Sequence, residues 1–100
     1  MAQPEARLSR KIMGAIRSYG GFCFKVWGSE HMMAGLPDII GCYDGKFFAL
    51  ETKMPAKRDN TSPRQVRVMN LIHQAGGIAQ VVCSSGEALR AIGAIDESLD

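Results

Sequence analysis

Apolar residues at Leu8, Ile12, Ile16 and Tyr19 recur at spacings of four, four and three, the period of one face of a helix. Pro4 suits the first turn of such a helix and Gly20-Gly21 stops it, so about four turns are predicted. From Phe22 to Trp27 the pattern changes to alternation, which predicts a strand. Residues 28–35 have no clean period and read as a loop. Two β-rich runs follow, 38–43 and 46–53, separated by Asp44-Gly45, a dipeptide that readily takes the positive φ angles of a tight hairpin turn. After a polar connector at 54–61, Ser62, Pro63 and Gln65 form the pattern of a capping box, with Ser62 as N-cap. Gln65, Val68, Met69 and Ile72 then share one helix face. Gly76-Gly77 ends that helix, 78–83 makes a fourth strand, and Ser84 or Ser85 caps a last helix through roughly Ile92. Residues 96–100 read as a frayed acidic end. The pattern alone says α plus β, in one domain spanning 1–100, since this length supports one modest core.

The hairpin carries the chemistry. If Tyr43 pairs with Lys46, counting outward sets Asp38 opposite Glu51, and the period of two puts Lys53 on the same face as Glu51. Like charges directly opposed across two strands repel, so something must compensate. A hard divalent cation does this with the oxygen donors Mg²⁺ selects, and Lys53 adds a positive charge beside any developing negative one. Taken singly, each residue has a plainer reading. Pro37-Asp38 is then a loop meeting a strand, and Glu51 to Lys53 a charged strand end in water.

Pro37-Asp38 followed by Glu51-Thr52-Lys53 resembles the PD-(D/E)XK nuclease signature. The ordered series Gly35 to Ile40, Phe48 to Pro55, Ser62 to Val66 and Gln74 to Gly77 is similar, more narrowly, to the virus-type replication-repair nuclease (VRR-NUC) domain in a stand-alone, phage-like form. The resemblance implies an α/β fold, the αβββαβα restriction-endonuclease-like core, with a central mixed sheet flanked by helices. It implies a metal-dependent DNA endonuclease in which Asp38, Glu51 and the Thr52 main-chain carbonyl hold Mg²⁺ or Mn²⁺. Lys53 would then orient the attacking water. It further implies that Glu5, on the first helix, lies near the metal and that Gln65 lies at the active site. From the residues alone, Glu5 is equally a favourable charge in a first helical turn, and the Gln65 side chain either closes its capping box or points to the hairpin.

The net charge of +2 hides an uneven distribution. Residues 1–25 carry five basic side chains against Glu5, and 51–67 carry five against two acids, whereas 87–100 carry four acids against Arg90. A polyanion is expected near the hairpin and away from the tail, with Lys57, Arg58, Arg64 and Arg67 as candidate DNA contacts. Each of these also reads as an ordinary solvated side chain. Cys23, Cys42 and Cys83 are odd in number, far apart and set in apolar runs, so they read as core thiols. No apolar run is long enough to span a membrane and no signal pattern opens the chain, which predicts an intracellular protein, and the resemblance implies the cytoplasm of a phage-infected or bacterial host cell. Cutting both strands of duplex or branched DNA, as junction-resolving members do, needs two sites, so a C₂ homodimer is expected. The competing reading is a non-catalytic DNA-binding module on the same fold.

Overall fold

The computed structural model describes residues 3–28 and 31–96, so Glu97 to Asp100 of the expected acidic end lie outside the described residues. The chain runs α1 (Pro4–Ser18), β1 (Phe22–Lys25), β2 (Ile39–Tyr43), β3 (Lys46–Thr52), a short 3₁₀ turn (Pro55–Lys57), α2 (Pro63–Gln74), β4 (Ile78–Val82) and α3 (Ser85–Ala91). This is the predicted αβββαβα order. The four strands lie side by side in sequence order, antiparallel except for the parallel pair β3 and β4. A parallel pair needs a crossover, and α2 supplies it.

Asp44 and Gly45 take φ angles of 50° and 79°, the doubly positive pair of a tight hairpin turn. Tyr43 accordingly faces Lys46, and Ile39 faces Leu50. The sheet face bearing Ile39, Phe48, Leu50 and Val82 is buried against Ile12, Met13 and Ile16 of α1 and Ala88, Leu89 and Ile92 of α3. Gly41 sits where β2 must leave room for that core. A Cβ there would collide with the Phe22 carbonyl oxygen and stand 2.6 Å from the fully buried Phe48 ring.

Three expectations are corrected. The buried stripe of α1 is Ser9, Ile12, Met13 and Ile16, with Leu8 only partly buried, while Tyr19 caps the helix and is half exposed because the helix stops at Ser18. β1 ends at Lys25 instead of Trp27. Val26 N–H still donates to the Asp38 carbonyl, but the ladder stops short of Trp27, which would face Pro37. Cys42 is exposed and only Cys23 and Cys83 are buried, all three being free thiols. The reason is the second sheet face. α2 packs over β4 there, and Cys42 lies beside Phe22, Phe24 and Phe47 on β1 to β3, all of them exposed.

Candidate active site

The hairpin register delivers Asp38, the residue before β2, to the end of β3, and the Asp38 Oδ1 accepts a hydrogen bond from Thr52 N–H at 2.7 Å. Its Oδ2 accepts from Lys25 Nζ at 2.8 Å and from Ser9 Oγ at 3.5 Å. Lys25 Nζ also reaches Ser9 Oγ, at 3.2 Å. Glu51 is only 6% exposed, and Lys53 Nζ stands 3.8 Å from its Oε2. The Glu51 carboxyl is pushed up to about 7 from an ordinary 4.5. Burial is the largest cause, the neighbouring Asp38 charge the next, and Lys53 opposes both. A more distant charge on Glu5 pushes the same way, and one on Lys25 opposes it.

Asp38, Glu51 and Lys53 are brought together, the Glu5 charge is felt at Glu51, and Gln65 closes its capping box. Glu5 acts on Glu51 only through its charge, and it is Ser9, one turn further along α1, that touches Asp38. Among the described residues, no three His, Cys, Asp or Glu side chains gather as a metal site. The Gln65 side-chain oxygen accepts from Ser62 N–H at 2.9 Å while Ser62 Oγ accepts from Gln65 N–H at 3.2 Å: the capping box is formed.

Lys25 and Ser9 are the site residues that sequence reasoning missed. β1 and β2 are joined by residues 26–38, with no tight turn to set their register. Nothing local showed that Lys25 pairs with Ile39, next to Asp38.

Of the expected DNA contacts, Lys57, Arg64 and Arg67 are exposed, and Arg58 is held 2.7 Å from Glu87 at the start of α3. Gly35, at φ +89°, lies so close to Arg64 that a Cβ would come within 2.5 Å of its carbonyl oxygen. That contact sets the loop before Asp38 against the basic first turn of α2. A cavity of about 320 Å³ lined by Asp38, Val26, Met32, Met33 and Leu36 adjoins another of about 350 Å³ that reaches Arg64 and Arg67. The largest cavity, about 600 Å³, lies along α2 at Pro63, Val66 and Asn70 and holds no carboxylate.

Two carboxyl groups offering hard oxygen donors, one of them pushed up by burial and by the charge of the other, fit a divalent cation. With Thr52 adjoining both, its main-chain carbonyl is available as a third oxygen.

A four-stranded mixed sheet with α1 and α3 on one face and α2 on the other, and with an acid before β2 and Glu51-Thr52-Lys53 at the end of β3, is the fold of PD-(D/E)XK nucleases. Within that class the structure is similar to a VRR-NUC domain, so the resemblance read from the sequence holds for the whole fold. The solved VRR-NUC domain is 26% identical over 91% of this chain and 96% of its own, with a TM-score of 0.68. The Holliday junction resolvase Hjc of Archaeoglobus fulgidus, 21% identical, matches over 76% of this chain and 64% of its own with a TM-score of 0.58, and shows the fold alone. No family model and no curated protein matches the sequence.

Proposed function

We propose that this protein is a metal-dependent DNA endonuclease that hydrolyses phosphodiester bonds and selects DNA by structure, in the manner of a Holliday junction resolvase. One observation carries the reading. Asp38 and Glu51 converge at adjacent strand ends, Glu51 pushed up by burial and then by the Asp38 charge, beside Lys53 in a VRR-NUC-like fold. Asp38, Glu51 and the Thr52 carbonyl would hold Mg²⁺ or Mn²⁺, which when bound polarises a phosphoryl oxygen and lowers the pKa of a bound water. Lys53, fixed by its N–H bond to the Val82 carbonyl at 3.0 Å, keeps an ammonium beside the charge that develops on the phosphate. Lys25 and Ser9 hold Asp38 in place. Lys57, Arg64 and Arg67 supply the phosphate-facing charge around the site.

Both strands are cut by two copies related by a two-fold axis. The uncovered Phe22, Phe24 and Phe47 face, apolar and uncharged, supports a homodimer.

The test is cleavage of labelled single strand, duplex, flap, fork and four-way junction in Mg²⁺, Mn²⁺ or EDTA. Asp38→Ala is expected to abolish metal-dependent cutting, by at least about a thousandfold as for loss of an essential catalytic group, while leaving the circular dichroism spectrum unchanged. Retained cutting by purified Asp38→Ala protein would refute the assignment. Binding without cutting by the unaltered protein would hand the case to a non-catalytic DNA-binding module.

A further inference from the structure

Trp27 is the one tryptophan of the chain, and it is 76% exposed where the β1 ladder runs out opposite Pro37. An indole this open presents an uncovered aromatic face to whatever binds beside it. Its neighbours tie it to the carboxylates. Lys25 Nζ lies 5.8 Å from the ring centre and, on its other side, 2.8 Å from Asp38 Oδ2. Ring, ammonium and carboxylate thus follow one another in a line of contacts leading to the proposed cutting site. The half-exposed Met32 and exposed Met33 line the cavity of about 320 Å³ together with Asp38, and Val26 and Gly28, which flank Trp27 in the chain, line it too, so apolar surface adjoins the charged centre.

We infer that Trp27 is a stacking platform for an unpaired base beside the proposed cutting site, and that it makes the site prefer DNA with unstacked bases over continuous duplex. The inference rests on the nuclease reading for its ligand and deepens it to a substrate class. Every base has a π face, so stacking on an aromatic ring tolerates any sequence. A base inside a continuous duplex has both faces covered by its neighbours and cannot offer one. Bases at a bulge, a branch point or a single-stranded arm can. Lys25, already against the ring and the carboxylate, places a positive charge where the backbone of that nucleotide passes.

Because Trp27 is the only tryptophan, its emission reports the site directly. The measurement uses the whole chain in EDTA, titrated with a relaxed covalently closed circular duplex, which has neither ends nor loops, and with the same circle carrying an unpaired bulge. Quenching is expected with the bulged DNA and not with the closed duplex. Trp27→Ala should bind the bulged DNA at least about tenfold more weakly, bind closed duplex as before, and be rescued by Trp27→Phe. Equal quenching by both DNAs, or undiminished affinity of Trp27→Ala for the bulge, overturns the inference. So does an emission change that follows protein concentration without DNA, which would assign the ring to a contact between copies. Since no divalent ion is present, the result is independent of cleavage. Selective quenching by a protein that cuts nothing in Mg²⁺ would sink the nuclease reading and leave the platform standing, and cutting without selective quenching would do the reverse.

Discussion

Glu51 carries the electrostatic strain of the site. Its folded-state value of about 7 lies above the ordinary 4.5, so its contribution to stability is fully present below about pH 4.5 and is lost as the pH rises through about 7. The difference corresponds to roughly 3 kcal/mol when complete. In EDTA, thermal unfolding followed at pH 5 and pH 8 should show lower stability at pH 8, and Glu51→Gln should remove most of that slope. A slope unchanged in Glu51→Gln would place its origin elsewhere. If the pair holds a cation as proposed, added Mg²⁺ should raise the melting temperature at pH 8 far more than at pH 5, because the ion favours the charged form. The same reasoning explains Lys25 and Ser9. The Asp38 carboxyl is held by the ammonium and hydroxyl that reach it, and both come from elements distant in sequence.

At the scale of elements, α2 shows how one residue can satisfy two readings of a sequence. Gln65 occupies the third position of a capping box, and its side-chain oxygen is engaged by the Ser62 N–H. Gln65→Ala is expected to cost about 1 kcal/mol of stability, as the loss of half of such a box does, and to leave the cleavage rate within a few-fold. Chemical denaturation and the junction-cutting assay on one sample measure both. A loss of a hundredfold or more in rate from a folded Gln65→Ala protein would restore the catalytic role that the family resemblance implies. Arg58 illustrates the opposite outcome, a basic residue of the connector that is held by Glu87 across 29 positions of chain and so ties the 3₁₀ turn to α3. Exposed as that pair is, its contribution to stability is small.

For the whole molecule, the asymmetry of the sheet matters most. One face is closed by α1 and α3, and the other is covered by α2 over β4 only, leaving Phe22, Phe24 and Phe47 exposed on the rest. Small-angle scattering at micromolar concentration should give twice the mass of the 10.9 kDa chain. Phe22→Ser with Phe24→Ser should shift it to the monomer while leaving the fold, since both side chains lie outside the core. A monomeric mass for the unaltered protein would remove the dimer. Among the described residues no helix is long and apolar enough to cross a membrane.

What the sequence determined by itself was whatever local geometry dictates. Asp44-Gly45 specifies a tight turn, the turn sets the β2 and β3 register, and that register carries Asp38 to Glu51 and Lys53 without knowledge of any other element. The order of elements was legible for the same reason, since helix and strand periods and their glycine and proline stops are short-range signals. Tertiary structure alone decided what crosses long connections. The 13 residues from Val26 to Asp38 leave the β1 register unset, so the reach of Lys25 to Asp38 had no sequence signal. The rotation of α1 that brings Ser9 to Asp38, and the uncovered face that leaves Cys42 and three phenylalanines exposed, depend on how helices settle on a twisted sheet. Periodicity marks a residue's side of its own element, and only packing decides what, if anything, covers that side.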